Sequence, residues 1–489
     1  MLQLLLFSLI IQKSISQEND RLVFLFTHFR HGARAPINID DECNDLFKEH
    51  WTNPGELTGV GQRMHYLLGL RNRIKYIENK KFLSESFDAH EILIYASHIN
   101  RSLVSVSSQL QGLYPQMSKK GEKLTEGQKA IAYPQVNTNF EEIKNEITNL
   151  GDSALPYYMT LAPVRMININ ERRYKVYDIP ECVGIREQIK KENRETIPEL
   201  INFKDNFNEK YGQIFNKYFN ENKTYDINDI YNICDSILSG YGDSREMTSF
   251  KTTGLDLNET NEYCQEFQRF YFLYHLNGGD EKILAHIDSS RLMEELIYYM
   301  KRRIDADITE ENEDANFKDY SRPKMLMISG HDSTISADEV FIIKALNLKE
   351  NETYIYPRYA SQLAIEVRTK NDSTKKSSYS DYYVFGYIDD KEIFNVSADS
   401  FINKIQSEIW DDVKIGEYCT FDDNDNIYYI RNNNKTDNAK TAYKVLMIVF
   451  ICISAILLVS TIVLAYKLSK KNNAEIINAN NISTQNIKT

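Results

Sequence analysis

Apolar runs and the polar stretches between them divide the chain before any single residue is considered. Leu22-Val23-Phe24-Leu25-Phe26, Ile92-Leu93-Ile94-Tyr95-Ala96-Ser97 and Met325-Leu326-Met327-Ile328-Ser329 are short, continuous and rich in branched, aromatic or sulfur-bearing side chains. Runs of that length are buried strands rather than half-exposed ones, which would alternate apolar with polar. Helical spacing follows the first two strands, at Leu67, Leu68, Leu70 and Ile74 and then over Ser102–Leu113. Leu292, Met293, Leu296, Ile297 and Met300 share one helix face behind the capping cluster Asp288-Ser289-Ser290. From about 130 to 310 the sequence is polar, aromatic-rich and helical in pattern, which predicts a helical cap inserted into an α/β core.

Two apolar stretches fall outside this pattern. Leu4–Ile11, followed by small residues at Ser14 and Ser16, predicts a secretory signal peptide over residues 1–16, with cleavage near Ser16–Gln17. Val445–Tyr466 holds no charged residue and is long enough to span a hydrocarbon layer of ~30 Å. Lys467, Lys470 and Lys471 follow it, so residues 467–489 are expected to be a cytoplasmic tail and 17–436 a luminal or extracellular domain. The expected protein is therefore single-pass, type I.

Composition refines this picture. The net charge is −12 and no basic tract is concentrated, which argues against nucleic-acid binding. Asn-x-Ser/Thr sequons at Asn100, Asn222, Asn258, Asn351, Asn371, Asn395 and Asn434 permit glycosylation. Of six cysteines, Cys452 lies in the apolar span, leaving Cys43, Cys182, Cys234, Cys264 and Cys419 in an oxidising compartment. An odd number leaves at least one thiol free or paired between chains.

Chemistry concentrates at two strand ends. Arg30-His31-Gly32-Ala33-Arg34-Ala35-Pro36 follows the first strand. Two guanidinium groups so close suit a tetrahedral oxyanion, because the planar fork of arginine matches phosphate bidentately. His31 between them can attack phosphorus as neutral imidazole, and Gly32 lets the backbone approach the anion. The other end is Gly330-His331-Asp332-Ser333-Thr334, after the Met325–Ile328 run. Arg101 stands just beyond the middle strand, at the start of a helix.

Arg30–Pro36, taken with His331-Asp332 about 300 residues later, resembles the paired motifs of the histidine acid phosphatases, a branch of the histidine phosphatase superfamily. Leu57-Thr58-x-x-Gly61 and Tyr356–Glu366 are similar to further blocks of that family. The resemblance covers nearly all of residues 20 to 420. It departs where the family usually shows Arg-Ser-Thr-Asp and this chain has Tyr95-Ala96-Ser97-His98. It implies an α/β fold: a phosphoglycerate-mutase-like three-layer core, a mainly parallel central sheet flanked by helices, and the inserted cap. It implies phosphate binding by Arg30, Arg34, Arg101 and His331, without metal or cofactor. His31 would form the phosphohistidine and Asp332 would protonate the leaving oxygen, then activate water. A free carboxyl titrates near pH 3.9, so an acidic optimum is expected. Cys182 and Cys419 match a long-range disulfide of the family. The position of Gln362 is often a cysteine there, paired with one matching Cys234; that bridge cannot form here, and Cys234 with Cys264 is a local substitute that leaves Cys43 over.

Three functions compete at this point: a membrane-anchored acid phosphatase, with a homodimer and a lysosomal or other acidic-vacuole address compatible with the resemblance; the same fold tuned to inositol polyphosphates or lysophospholipids; and a binding ectodomain that has lost turnover. Retention of Asp332 and an acidic balance argue against a phytase-like site. The presence of every expected catalytic side chain argues against a binding ectodomain.

Overall fold

The computed structural model describes residues 20–38, 46–47, 49–115, 123–134, 141–159, 161–167, 182–247, 255–276, 282–309, 322–370 and 376–419. The expected signal peptide, the apolar span 445–466, the tail and Cys43 lie outside these residues. Among the described residues no helix is long and apolar enough to cross a membrane.

In chain order the larger elements are β1 (Asp20–Arg30), α1 (Gly59–Asn72), β2 (Ile92–Ala96), α2 (Asn100–Leu113) and the short β3 (Arg165–Met166). The helices α3 (Val183–Thr196), α4 (Pro198–Phe207), α5 (Ile227–Gly242), α6 (Leu257–Phe270) and α7 (Ile283–Thr309) follow. The chain then returns through β4 (Met325–Gly330), α8 (Asp332–Leu346), β5 (Gln362–Lys370), β6 (Tyr382–Ile388), β7 (Lys391–Ser397) and α9 (Ala398–Glu408).

The strands form one sheet in the order β3-β2-β4-β1-β5-β6-β7. Both faces are covered, and the period-two alternation of each central strand feeds two cores. Phe24 and Phe26 of β1, Leu93 and Tyr95 of β2, and Leu326 and Ile328 of β4 share the larger core with Leu292, Met293 and Leu296 of α7 and Ile335 and Val340 of α8. Leu25 and Phe29, Ile92 and Ile94, and Met325 and Met327 face the other way, onto Val106 and Leu110 of α2. A register shift between Leu22 and Phe24 puts Leu22 on the same side as Leu25.

The sheet is mixed, which corrects the expectation of a mainly parallel one. The pairings β1–β4, β2–β4 and β2–β3 are parallel, but β1–β5, β5–β6 and β6–β7 are antiparallel. Parallel neighbours need a long crossover. Among the described residues no long helix separates β5, β6 and β7, and β6 turns into β7 through Asp389-Asp390, both at positive φ, so the chain folds back as a meander. The helix α7 lies along the core, against β1 and α8, whereas α5 and α6 pack on each other. Cys182 is joined to Cys419, and Cys234 of α5 to Cys264 of α6.

Candidate active site

The parallel register sets the site. Arg30 is level with Gly330 on the neighbouring strand, and His31 donates its backbone N–H to the Gly330 carbonyl at 3.1 Å. Two residues far apart in sequence, His31 and His331, therefore leave the same sheet edge together, with ring centroids 5.3 Å apart. Carboxyl ends of parallel strands are where open α/β sheets bind ligands. Asp332 opens α8 directly after His331, whose N–H donates to Thr334 Oγ1 at 3.0 Å. Arg101, in the first turn of α2, reaches in from behind β2.

The loop after β1 is clamped. Gly32 N–H donates to Ser105 Oγ at 3.2 Å, and the His31 carbonyl accepts from Ala360 N–H at 3.1 Å. Gly32 also packs backbone to backbone on Gly61 of α1. A Cβ there would fall 2.6 Å from Gly61 Cα, so no larger residue fits without moving α1.

His31 is fully enclosed, and its Nδ1 lies 2.9 Å from the Gly32 carbonyl. A carbonyl only accepts, so Nδ1 carries the proton and the Nε2 lone pair is the available nucleophile. Burial, then the charges of Arg30, His331, Arg34 and Arg101, hold the imidazolium form well below the usual histidine range. The ring is therefore neutral in acid, where an exposed histidine would be protonated.

Arg30 Nη2 pairs with Asp332 Oδ2 at 2.6 Å, while Nη1 donates to Tyr356 OH at 3.1 Å and to the Pro357 carbonyl at 3.0 Å. Its guanidinium lies 4.4 Å from the ring centre of Tyr359. Arg34 makes a bidentate pair with Asp235 of α5, at 2.7 and 3.2 Å. Burial opposes a charge on Asp235, yet Arg34 prevails and keeps its carboxyl below the usual range. The Nε–H groups of Arg30 and Arg34 are buried and donate to no partner.

Arg101 Nη2 stands 3.3 Å from His331 Nδ1. Guanidinium only donates, so Nδ1 accepts and the proton of His331 sits on Nε2, facing Ser97 Oγ at 3.0 Å and Ser102 Oγ at 3.2 Å. Burial and the charge of Arg101 keep that ring neutral too. His331 thus ties Arg101 to two serines.

The six residues singled out at the strand ends are thus brought together, with Arg34 held through α5. Sequence reading missed Asp235, Tyr356, Tyr359 and Ser102. It also missed His65, whose Nε2 donates to the Arg30 carbonyl at 3.0 Å and whose ionisation burial pushes down to about 4. Only Tyr356 and Tyr359 carried a signal, because they sit in the block similar to the family. His286 lies elsewhere, stacked on Trp410 at 4.5 Å with Nδ1 donating to the Glu408 carbonyl, a structural role.

Residues 21–384 match the family model of the histidine phosphatase superfamily (branch 2). The chain is 37% identical over 100 residues to lysosomal acid phosphatase of Xenopus laevis, 20% of this chain and 22% of that protein. It is 38% identical over 96 residues to prostatic acid phosphatase of Homo sapiens, 19% of this chain and 24% of that protein. These local matches span about a quarter of the relatives' length. A longer match, 23% identical over 369 residues and 72% of both chains, is to lysosomal acid phosphatase of Rattus norvegicus. Among solved structures, a Hafnia alvei phytase in complex with myo-inositol hexakis sulphate aligns with TM-score 0.50 at 10% identity, over 83% of this chain and 99% of that one, a likeness of fold alone.

Proposed function

The chain belongs to branch 2 of the histidine phosphatase superfamily, and from that premise we propose that it is an acid phosphatase hydrolysing phosphate monoesters through a phosphohistidine on His31. The observation that carries this reading is the neutral His31 ring, its Nδ1 proton fixed on the Gly32 carbonyl, beside the His331-Asp332 pair of the adjacent strand.

The chemistry follows from the groups present. Arg30, Arg34, Arg101 and His331 surround the phosphoryl oxygens and spread their charge. The lone pair of His31 Nε2 forms the P–N bond in line as the ester P–O bond breaks. The departing oxygen takes its proton from Asp332. Substrate phosphate competes for Arg30, which releases the Asp332 carboxyl from its ion pair to carry that proton. Asp332 then removes a proton from water, whose oxygen attacks phosphorus as the P–N bond breaks. Inorganic phosphate and His31 are returned.

The finer topology belongs to the same proposal: a type I protein anchored by 445–466, its catalytic domain in a lysosome or another acidic vacuole, supported by the uncharged span and the lysines behind it. The test is a trapping experiment. Labelled substrate quenched in alkali should leave phosphate on the parent chain, labile to acid, and none on His31→Ala. Label on the variant would remove His31 as the nucleophile.

A further inference from the structure

We propose that His28 is a positioning residue of this site, acting through Thr334 on His331 and Asp332, an inference that rests on the phosphatase reading. His28 lies on β1 two residues before Arg30, level with Ile328 of β4 and Leu363 of β5, and is fully buried. An imidazole inside an apolar strand needs a partner for each ring nitrogen, because a buried polar atom left unmet is costly. The first two turns of α8 supply both. Nδ1 lies 2.7 Å from Oδ2 of Asp338, itself only 2% exposed, and Nε2 lies 3.2 Å from Thr334 Oγ1.

The Asp338 carboxylate only accepts, so Nδ1 carries a proton and Nε2 turns its lone pair to the Thr334 hydroxyl. That hydroxyl accepts the backbone N–H of His331 at 3.0 Å. It also lies 3.0 Å from the His331 carbonyl, but Ile335 N–H already donates there at 3.1 Å, which leaves the Thr334 proton for His28. Donation therefore runs one way, from His331 to Thr334 to His28 to Asp338, and bonds aligned like this strengthen one another. Gly330 makes room for the arrangement: a Cβ there would fall 2.7 Å from Thr334 Oγ1 and closer still to His28 Nε2. His331 and Asp332 are consecutive, so the peptide group that Thr334 holds sets where both side chains leave the sheet edge. Replacing a buried charge pair by apolar residues of similar volume is often neutral for stability. Displacing a reacting group by about 1 Å, by contrast, can cost about 100-fold in rate. The pair is therefore placed to serve geometry more than stability.

The experiment uses the purified full-length chain at one acidic pH, with glycerol 2-phosphate and p-nitrophenyl phosphate as substrates and Tm measured beside the kinetics. The double variant His28→Leu with Asp338→Leu removes both buried polar groups together. Its Tm should stay near the parent value, while kcat for glycerol 2-phosphate falls about tenfold, the worth of one buried hydrogen bond. KM should change little, and p-nitrophenyl phosphate should lose less, because its leaving group needs little help from a displaced Asp332. A role in folding alone would lower the amount of active enzyme and so reduce both esters equally. Thr334→Val keeps the His28–Asp338 pair and removes only the link to His331; it should show the same unequal loss, and it decides the matter if the double variant does not fold. Parent kcat in either folded variant, or equal losses on the two esters, overturns this inference and leaves the phosphatase reading standing. Failure of the parent chain to hydrolyse either ester overturns both.

Discussion

Replacing Asp235 by asparagine leaves the Arg34 guanidinium buried without its counter-charge. Arg34 donates to both carboxylate oxygens, and Ile37 N–H donates to Oδ2 at 2.9 Å, so the substitution keeps the shape and removes the charge at the centre of three contacts. Breaking a buried pair from one side costs about 3–5 kcal/mol. With an unfolding entropy of about 2.1 cal/mol/K per residue over roughly 400 folded residues, that lowers Tm by about 4–6 °C. The pH dependence adds a second constraint. Asp235 is held below its unfolded value of about 3.9, so its contribution is complete above that pH and is lost as pH falls through the lower folded value. Thermal unfolding of parent and Asp235→Asn between about pH 6 and pH 3 should show the full deficit at pH 5 and a narrowing one below about 3.9. A deficit under about 1 °C at pH 5 would refute the pair as a support of the site. A deficit that stayed constant to pH 3 would refute its charge as the reason.

Asp332→Asn should slow esters of poorly acidic alcohols by about 100-fold or more while slowing p-nitrophenyl phosphate less, since a good leaving group needs little help from a proton donor; equal losses would take the acid role away from Asp332. Because burial and the arginine field keep His31 neutral, the acid limb of kcat/KM should show no titration near 6.5, and a limb centred there would contradict the enclosed geometry. Gly32→Ala should abolish turnover and lower Tm, because the new Cβ meets the α1 backbone and not a movable side chain; wild-type turnover in that variant would show that the loop does not need the close approach. Cys234→Ser opens a loop of 30 residues, which chain entropy values at about 3–4 kcal/mol, so the variant should unfold at a lower temperature and lose less stability than the parent on reduction, because of the two bridges Cys182–Cys419 alone remains.

The two halves of the site differed in how legible they were. Arg30-His31 and His331-Asp332 stood out because each follows an apolar strand, and parallel pairing of β1 with β4 turns that local pattern into proximity. Asp235 carried no comparable signal: it is one acid on an amphipathic helix, and only the packing of α5 against the loop after β1 makes it the partner of Arg34. His65 and Ser102 were hidden for the same reason, since each acts by a single hydrogen bond across elements distant in sequence. In the sheet, the strands feeding the site have uninterrupted apolar runs and were read as strands. Alternating β6, with Tyr383 exposed between buried Tyr382 and Val384, gave no such run, so the antiparallel half went unread.

The most direct measurement of the central claim is phosphate release from p-nitrophenyl phosphate by the purified full-length chain, from about pH 3 to 9, with chelator present, beside His31→Ala. The account requires activity that peaks in acid, survives the chelator because arginine and histidine carry the phosphoryl charge, and vanishes in the variant. Turnover by His31→Ala at the parent rate would contradict it.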